Sequence, residues 1–410
     1  MSAPALDVEP RLRAAVDGCR EELVAIRRDL HRHPELSHQE ARTAQMAAER
    51  AAALGFAVHS GVGGHGVTAD LDSERSGPVL MLRADMDALP VLERDDGRPV
   101  RSEVDGVMHA CGHDGHVAMA LGAASALVAL RDTWTGRVRL CFQPAEERAE
   151  GAMPMIEAGA ADGVDRVLGI HLWAPLQTGR VAVTPGVLFG SADSFTLTLR
   201  GRGGHGGMPH TAVDPVVAAA QIIVALQTIV SRETSPLDSA VVTVGSIHGG
   251  AKRNVIPDEV QLLMTVRTYK PEVRKRVLAS IDRIARGIAL AAGVPDDRAP
   301  IVELLAGESV EATWNDPALT ERLAKALTRD MGTNSVVKMD PLMVSEDFGH
   351  FALDRKIPAT MLNVGAVDPA KIASGERLPS LHSSKFLPVA EPTLRGAIKA
   401  MVVSSLELLR

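Results

Sequence analysis

Apolar residues recur at helical spacing over 10–33, with Leu23, Ile26 and Leu30 on one stripe, and His33-Pro34 ends the run. A second helix is predicted over 39–53, capped by Gly55. Short apolar runs then predict strands at 57–59, 67–71 and 79–83. The last is nearly all apolar and empties into Ala84-Asp85-Met86-Asp87. Such a run followed by acids reads as a buried strand with functional groups at its carboxyl end. An Ala-rich helix over 116–130 comes next, then a strand at 137–142 that runs into Gln143-Pro144-Ala145-Glu146-Glu147. A helix at 153–158 and a strand at 166–172 continue the alternation. This order predicts an α/β core with helices on both faces.

The pattern changes after Pro185-Gly186. Residues 194–200 alternate, with Phe195, Leu197 and Leu199 set against polar neighbours, as in a half-exposed strand. A long helix over 215–234, strands at 241–247 and 259–267, a helix over 271–292 and a strand at 301–305 follow. A βαββαβ order over about 110 residues predicts a ferredoxin-like α+β insert. The expected division is one domain made of 1–186 and 302–410, with the insert at 187–301 between its halves. No internal repeat is visible.

Composition narrows the function. The 410 residues are 46% hydrophobic and 23% charged, with a net charge of −7. No dense basic run exists, so nucleic acid is not an expected partner. The opening MSAPALDVEPRLRAAV carries acids and no long apolar core, so a signal peptide is not expected. The longest apolar helix, near 216–230, is interrupted by Gln221, Gln227 and Thr228, and no membrane partner is expected. Three scattered cysteines, Cys19, Cys111 and Cys141, speak for a reducing, cytoplasmic setting.

Several of the 14 histidines sit beside Gly, Asp or Glu. The densest group is Met108-His109-Ala110-Cys111-Gly112-His113-Asp114-Gly115-His116, where a thiol and an imidazole flank one Gly in a loop. That spacing lets both converge on a metal. Glu146-Glu147 directly after a strand offers one carboxylate as ligand and one as proton acceptor, although an isolated Glu-Glu pair more often marks a solvated turn. His171, ending an apolar strand, reads equally as a core residue; His382, in a Ser-rich loop, reads alone as part of a helix cap. His205 stands between glycine pairs in a loop that also holds His210. Asn254 and Arg267 offer donors suited to a carboxylate, or plain surface.

Taken together, DLHRHPELSHQE, LRADMDALPV, MHACGHDGHVAMALGAA, FQPAEE, GIHLW, GRGGHGGMPH, NVIPDEV, SEDFGHF and LHSSKF span about residues 29–386. In this order they resemble the aminoacylase/carboxypeptidase superfamily of two-metal amidohydrolases, in its hippurate hydrolase and indoleacetyl-amino-acid hydrolase branch. The resemblance implies a mixed-sheet, zinc-exopeptidase-like catalytic domain and an inserted lid that forms a homodimer. It implies Cys111, His113, Glu147, His171 and His382 as ligands of two divalent ions (Zn, Mn, Co or Ni) and Glu146 as general base. Asp85 stands where the wider superfamily places a ligand His, which leaves Asp85 and Asp87 as supports of the ligands. His205 would reach the partner subunit's site, with Asn254, Arg267 and His210 binding substrate. The implied reaction is hydrolysis of an N-acyl amino acid. Rival readings are an amidohydrolase or carboxypeptidase acting on N-acyl-diaminopimelate, p-aminobenzoyl-glutamate or small peptides, and a non-catalytic metal-binding relative.

Overall fold

A computed structural model describes residues 8–410; residues 1–7, the first part of the opening segment read above as no signal peptide, lie outside the described residues. The expected first helix is two helices, α1 (Val8–Gly18) and α2 (Arg20–Arg32), broken at Cys19. Gly18 weakens the helix there, and the Cys19 thiol donates to the carbonyl of Ala15 at 3.3 Å. The chain continues through α3 (Ala41–Ala53), β1 (Ala57–Val62), β2 (Gly66–Asp72), β3 (Val79–Asp85), α4 (His113–Ala129), β4 (Arg137–Gln143), α5 (Ala152–Glu157), β5 (Arg166–Gln177), β6 (Val181–Val183) and β7 (Gly186–Phe189). It then enters β8 (Ala192–Arg200), β9 (Gly204–His205), α6 (Pro215–Thr228), β10 (Ala240–His248), β11 (Val255–Ile256), β12 (Glu259–Thr268), α7 (Pro271–Ala291) and β13 (Ile301–Val310). It closes with β14 (Thr313–Asn315), α8 (Pro317–Met331), β15 (Val336–Lys338), β16 (Ala359–Val367), α9 (Pro369–Ala373) and α10 (Ala390–Leu408).

Two compact units result. One holds Met1–Leu188, Trp314–Asp340 and Asp347–Arg410; the other holds Phe189–Thr313 and Pro341–Glu346. The first is built on an eight-stranded mixed sheet in the order β1-β2-β4-β3-β5-β16-β6-β15. Its centre, β4-β3-β5-β16, is parallel, so the carboxyl ends of these strands share one edge. Alternate residues Leu80, Leu82 and Ala84 of β3 and Leu362, Val364 and Ala366 of β16 join one core with α2, α4, α8 and α10. α4 is buried on all sides, which explains its run of Ala and Gly. The opposite face has thinner cover: Phe348 of the turn Asp347–Ala352 sits where a side chain on Gly169 would stand.

The second unit is an antiparallel sheet in the order β10-β12-β8-β13 with α6 and α7 packed on it. Counting its four strands along the chain, that order is 2-3-1-4, the ferredoxin-like arrangement. Leu197, Leu262, Ile222 and Ile281, all fully buried, form its core. By length and composition alone Pro215–Glu233 would reach across a bilayer. Here Ala218, Ala219, Ile222 and Leu226 of that helix pack in the core of this unit.

Asn315 stitches the first unit. Its amide nitrogen donates to the carbonyls of Thr184 (3.0 Å) and Met361 (2.9 Å), and its amide oxygen accepts from Met361 N at 2.8 Å. Asn315→Ala strands these buried main-chain groups and is expected to cost on the order of 3 kcal/mol in urea unfolding.

Candidate metal centre

The chemistry gathers at the carboxyl edge of the parallel strands. β3 delivers Asp85 and then Asp87, β4 delivers the turn with Glu146 and Glu147, β5 carries His171, and α4 opens on His113. Gly112, just before α4, is left-handed (φ 94°), and a Cβ there would lie 2.9 Å from Leu172 Cδ1. Only glycine lets Cys111 and His113 approach the sheet this closely.

The structure brings five dispersed sequence candidates and Glu146 into one cluster. Cys111, His113 and His171 offer donor atoms within 4.8 Å of one another; so do Cys111, Glu147 and His382, and so do His113, Glu146 and Glu147. Cys111 Sγ is 3.5 Å from His171 Nε2, and His382 Nε2 is 3.4 Å from Glu147 Oε2. His382 itself is left-handed (φ 63°), its N–H held by the carbonyl of Ala110 at 2.9 Å, which ties its loop to that of Cys111.

Hydrogen bonds decide which nitrogens remain for a metal. His113 Nδ1 donates to the carbonyl of Asp87 at 2.8 Å, and His171 Nδ1 donates to the carbonyl of Leu172 at 2.6 Å. A carbonyl only accepts, so both rings turn an Nε2 lone pair toward the cluster. His116 differs: Nε2 accepts from Leu172 N–H at 2.9 Å and Nδ1 donates to Asp85. Its two nitrogens are committed.

The surrounding carboxylates favour positive charge in this space, which a proton on His113 or a bound cation supplies. Burial opposes charge on His113, but Asp85, Asp87 and Glu147 outweigh it and push the ring up to about 10. Burial pushes Glu147 up to about 8; His113 opposes that shift and Asp87 and Asp85 add to it. Negative charge is thus crowded here beyond what the side chains neutralise. His113 Nε2 and Glu147 Oε1 are buried with no hydrogen-bond partner. A thiol, imidazoles and a carboxylate aimed at one space, with two of their atoms unsatisfied, fit divalent cations.

Asp85 and Asp87 occupy the supporting places. Asp85 pairs with Arg83 at 2.5 Å and with His116. Asp87 accepts from His113 Nδ1 (3.2 Å), Ser37 Oγ (2.7 Å) and Glu147 N (3.0 Å). Sequence reasoning gave no role to Ser37, His116 or Arg83. An arginine inside an apolar strand was the available signal for Arg83; His116, three residues after His113 on one helix, was another. A further buried network, Arg27–Asp114–His31–Glu93–Arg98, underlies the start of α4 and was also missed.

The remaining candidates lie in the second unit and are not gathered there. His205 on β9 pairs with Val255 on β11, and Gly206 N donates to Asn254 O at 2.9 Å, so His205 and Asn254 are neighbours. His205 Nδ1 accepts from Gly207 N at 3.0 Å, which makes its exposed Nε2 the protonated, donating atom. His210 is exposed in the turn Pro209–Thr211. Arg267, half-buried, lies near the far end of β12 and donates to Ser345 Oγ at 2.8 Å. From Glu259, the end of β12 nearer β11, to Arg267 is eight residues, about 26 Å of extended strand.

Buried imidazole, thiol and carboxylate donors at the carboxyl edge of a sheet, with a second carboxylate alongside, define a metallohydrolase with a two-metal site. Residues 81–390 match the model of Peptidase family M20/M25/M40, and the chain belongs to that family of metal-dependent hydrolases. It is 42% identical over 283 residues to the N-acyl-L-amino acid amidohydrolase of Geobacillus stearothermophilus, covering 69% of this chain and 76% of that one. It is 37% identical over 385 residues to thermostable carboxypeptidase 1 of Saccharolobus solfataricus, covering 93% and 94%. A solved Bacillus subtilis structure, described as a dinuclear metal binding peptidase from the M20 family, matches with a TM-score of 0.80 at 31% identity, covering 96% and 99%.

Asp87 orients His113 and holds the turn of Glu147. Asp87→Ala is therefore expected to weaken metal binding by about 10- to 100-fold, read as metal retained after dialysis against a graded chelator.

Proposed function

We propose that this enzyme hydrolyses the amide bond of N-acyl amino acids, with Cys111, His113, Glu147, His171 and His382 holding two divalent cations and Glu146 carrying the proton. The observation that supports this most is Glu146 Oε2, 3.9 Å from His113 Nε2 at the rim of the donor cluster. Bound cations supply Lewis acidity toward the acyl carbonyl and make water more acidic. Glu146 accepts a proton from the attacking water and returns it to the amine nitrogen as the C–N bond breaks. His205 Nε2–H donates to the carbonyl oxygen as charge develops on it. Arg267 takes the substrate carboxylate. Thiolate ligation favours zinc, cobalt or nickel, and manganese suits the carboxylate. The Geobacillus relative's name supports an N-acyl amino acid; the Saccharolobus relative's name supports small peptides as the second reading.

His205 and Asn254 lie at the two-stranded β9-β11 sheet and Arg267 near the far end of β12, a separation that disfavours their serving one small substrate from the same subunit. This separation supports a homodimer in which His205, with Asn254 and His210 nearby, serves the partner's site. β10 is an edge strand, and Val241, Ile247 and Val224 leave apolar surface exposed in the same unit. None of the three cysteines forms a disulfide, which suits a reducing cytoplasm.

Turnover of hippurate and N-acetyl-amino acids tests the substrate reading; activity on peptides alone would replace it. Glu146→Ala is expected to keep its metal and lose turnover, and near-normal activity would remove Glu146 from the mechanism. His205→Ala is expected to lower kcat by about 10²–10³. Mixing these two inactive variants under subunit exchange should restore about a quarter of wild-type activity, because half the dimers then hold one intact site. No recovery would place His205 in its own subunit's site or outside catalysis.

A further inference from the structure

Glu40 occupies the N-cap position of α3, yet its side chain makes no bond to that helix. Glu35 serves the first turn instead: its two carboxylate oxygens accept from the N–H groups of Arg42 (3.0 Å) and Thr43 (2.8 Å). Glu40, wholly buried, reaches a segment 105 residues away. Its Oε1 accepts from the N–H of Ala145 at 2.8 Å, and its Oε2 has no hydrogen-bond partner. Burying a carboxylate is costly, and burial pushes Glu40 up even though backbone N–H groups, that of Ala145 first, oppose the shift.

Ala145 is left-handed (φ 51°, ψ 38°), a conformation that its Cβ disfavours. The turn it begins is closed by Ala149, also left-handed (φ 55°), whose N–H donates to Glu146 O at 2.7 Å. Glu150 N donates back to Ala145 O at 3.1 Å. The other side of Glu146 is pinned through Glu147 N, which donates to Asp87 Oδ2, and that oxygen is held in turn by Ser37 Oγ. Ser37 and Glu40 belong to one short segment. It therefore braces the turn on both flanks, once through Asp87 and once directly.

We propose that Glu40 is a positioning residue for Glu146: its buried carboxylate holds the left-handed Ala145, and so sets the direction in which the Glu146 side chain leaves the turn. The inference rests on Glu146 as the proton carrier. Glu40 touches no reacting group; without its acceptor the 145–146 peptide relaxes toward a right-handed conformation and Glu146 swings away. A displacement of about 1 Å in a proton-transfer group costs on the order of 100-fold in rate.

The test is steady-state hydrolysis by the metal-loaded enzyme, with metal content and thermal melting measured on each variant. Glu40→Ala is expected to lower kcat by about 10- to 100-fold, with KM within about twofold and metal content unchanged. Glu40→Gln keeps an acceptor oxygen and is expected to retain most of kcat. In Glu40→Ala/Ala145→Gly the left-handed turn no longer needs holding, and kcat should recover at least about fivefold over Glu40→Ala alone. A brace that served stability only would change melting and would not respond to the glycine in kcat. Unchanged kcat in Glu40→Ala overturns the inference, and so does a loss that Ala145→Gly fails to relieve. If Glu40→Ala does not fold, Glu40→Leu, which keeps the volume and removes the acceptor, is read by the same criteria. Glu146→Ala run in parallel separates the two claims. Full activity there defeats the proton-carrier reading itself, whereas an inactive Glu146→Ala beside a fully active Glu40→Ala defeats only the brace.

Discussion

The carboxylate of Asp87 accepts from His113, from Ser37 and from the N–H of Glu147, and with these bonds it fixes a ligand candidate, the loop before α3 and the Glu146-Glu147 turn relative to one another. Each group comes from a different stretch of chain, so no local propensity could assemble them. Asp87 can do this because it stands just past the end of β3, where the parallel sheet leaves its carboxyl edge open. The same bonds impose chemistry. A His113 ring that donates through Nδ1 has only Nε2 left, and that atom faces the carboxylates.

Charge accounts for the rest of the arrangement. Asp85 is neutralised by Arg83 and His116, and Asp87 by its donors, all in near-complete burial. Glu147 is buried nearly as deeply, and its Oε1 has no such partner. A cation in the space it shares with Cys111, His113 and His382 would offset the cost of burying it. The donor set of this edge suits positive charge, and folding of the edge and metal loading are expected to be coupled.

The second unit follows a different logic. Its core is separate and its sheet fully antiparallel, with Arg267 near one end of β12 and His205 on the short β9-β11 pair rather than around one edge. The proposed dimer turns that separation into a device, since each site then depends on a residue supplied by its neighbour.

Much of this was legible in the residues. The period-2 run at 194–200 placed β8, and the apolar segments placed β10 and β12, to within two residues, and the apolar run before Asp85 foretold a buried strand with chemistry at its exit. The Cys111-Gly112-His113 spacing pointed to a metal because such donors so close together have few other uses. The expected first helix was too long, since a single Gly18 breaks it without interrupting its apolar stripe. The supports stayed hidden for a physical reason. Ser37 and Glu40 are ordinary polar residues whose roles exist only as hydrogen bonds to groups 50 and 105 residues away. Donor identity and element order are properties of local sequence, because they depend on side-chain chemistry and periodicity. Which lone pair faces the metal, and which buried carboxylate holds a strained turn, depend on contacts that appear only once distant segments have packed.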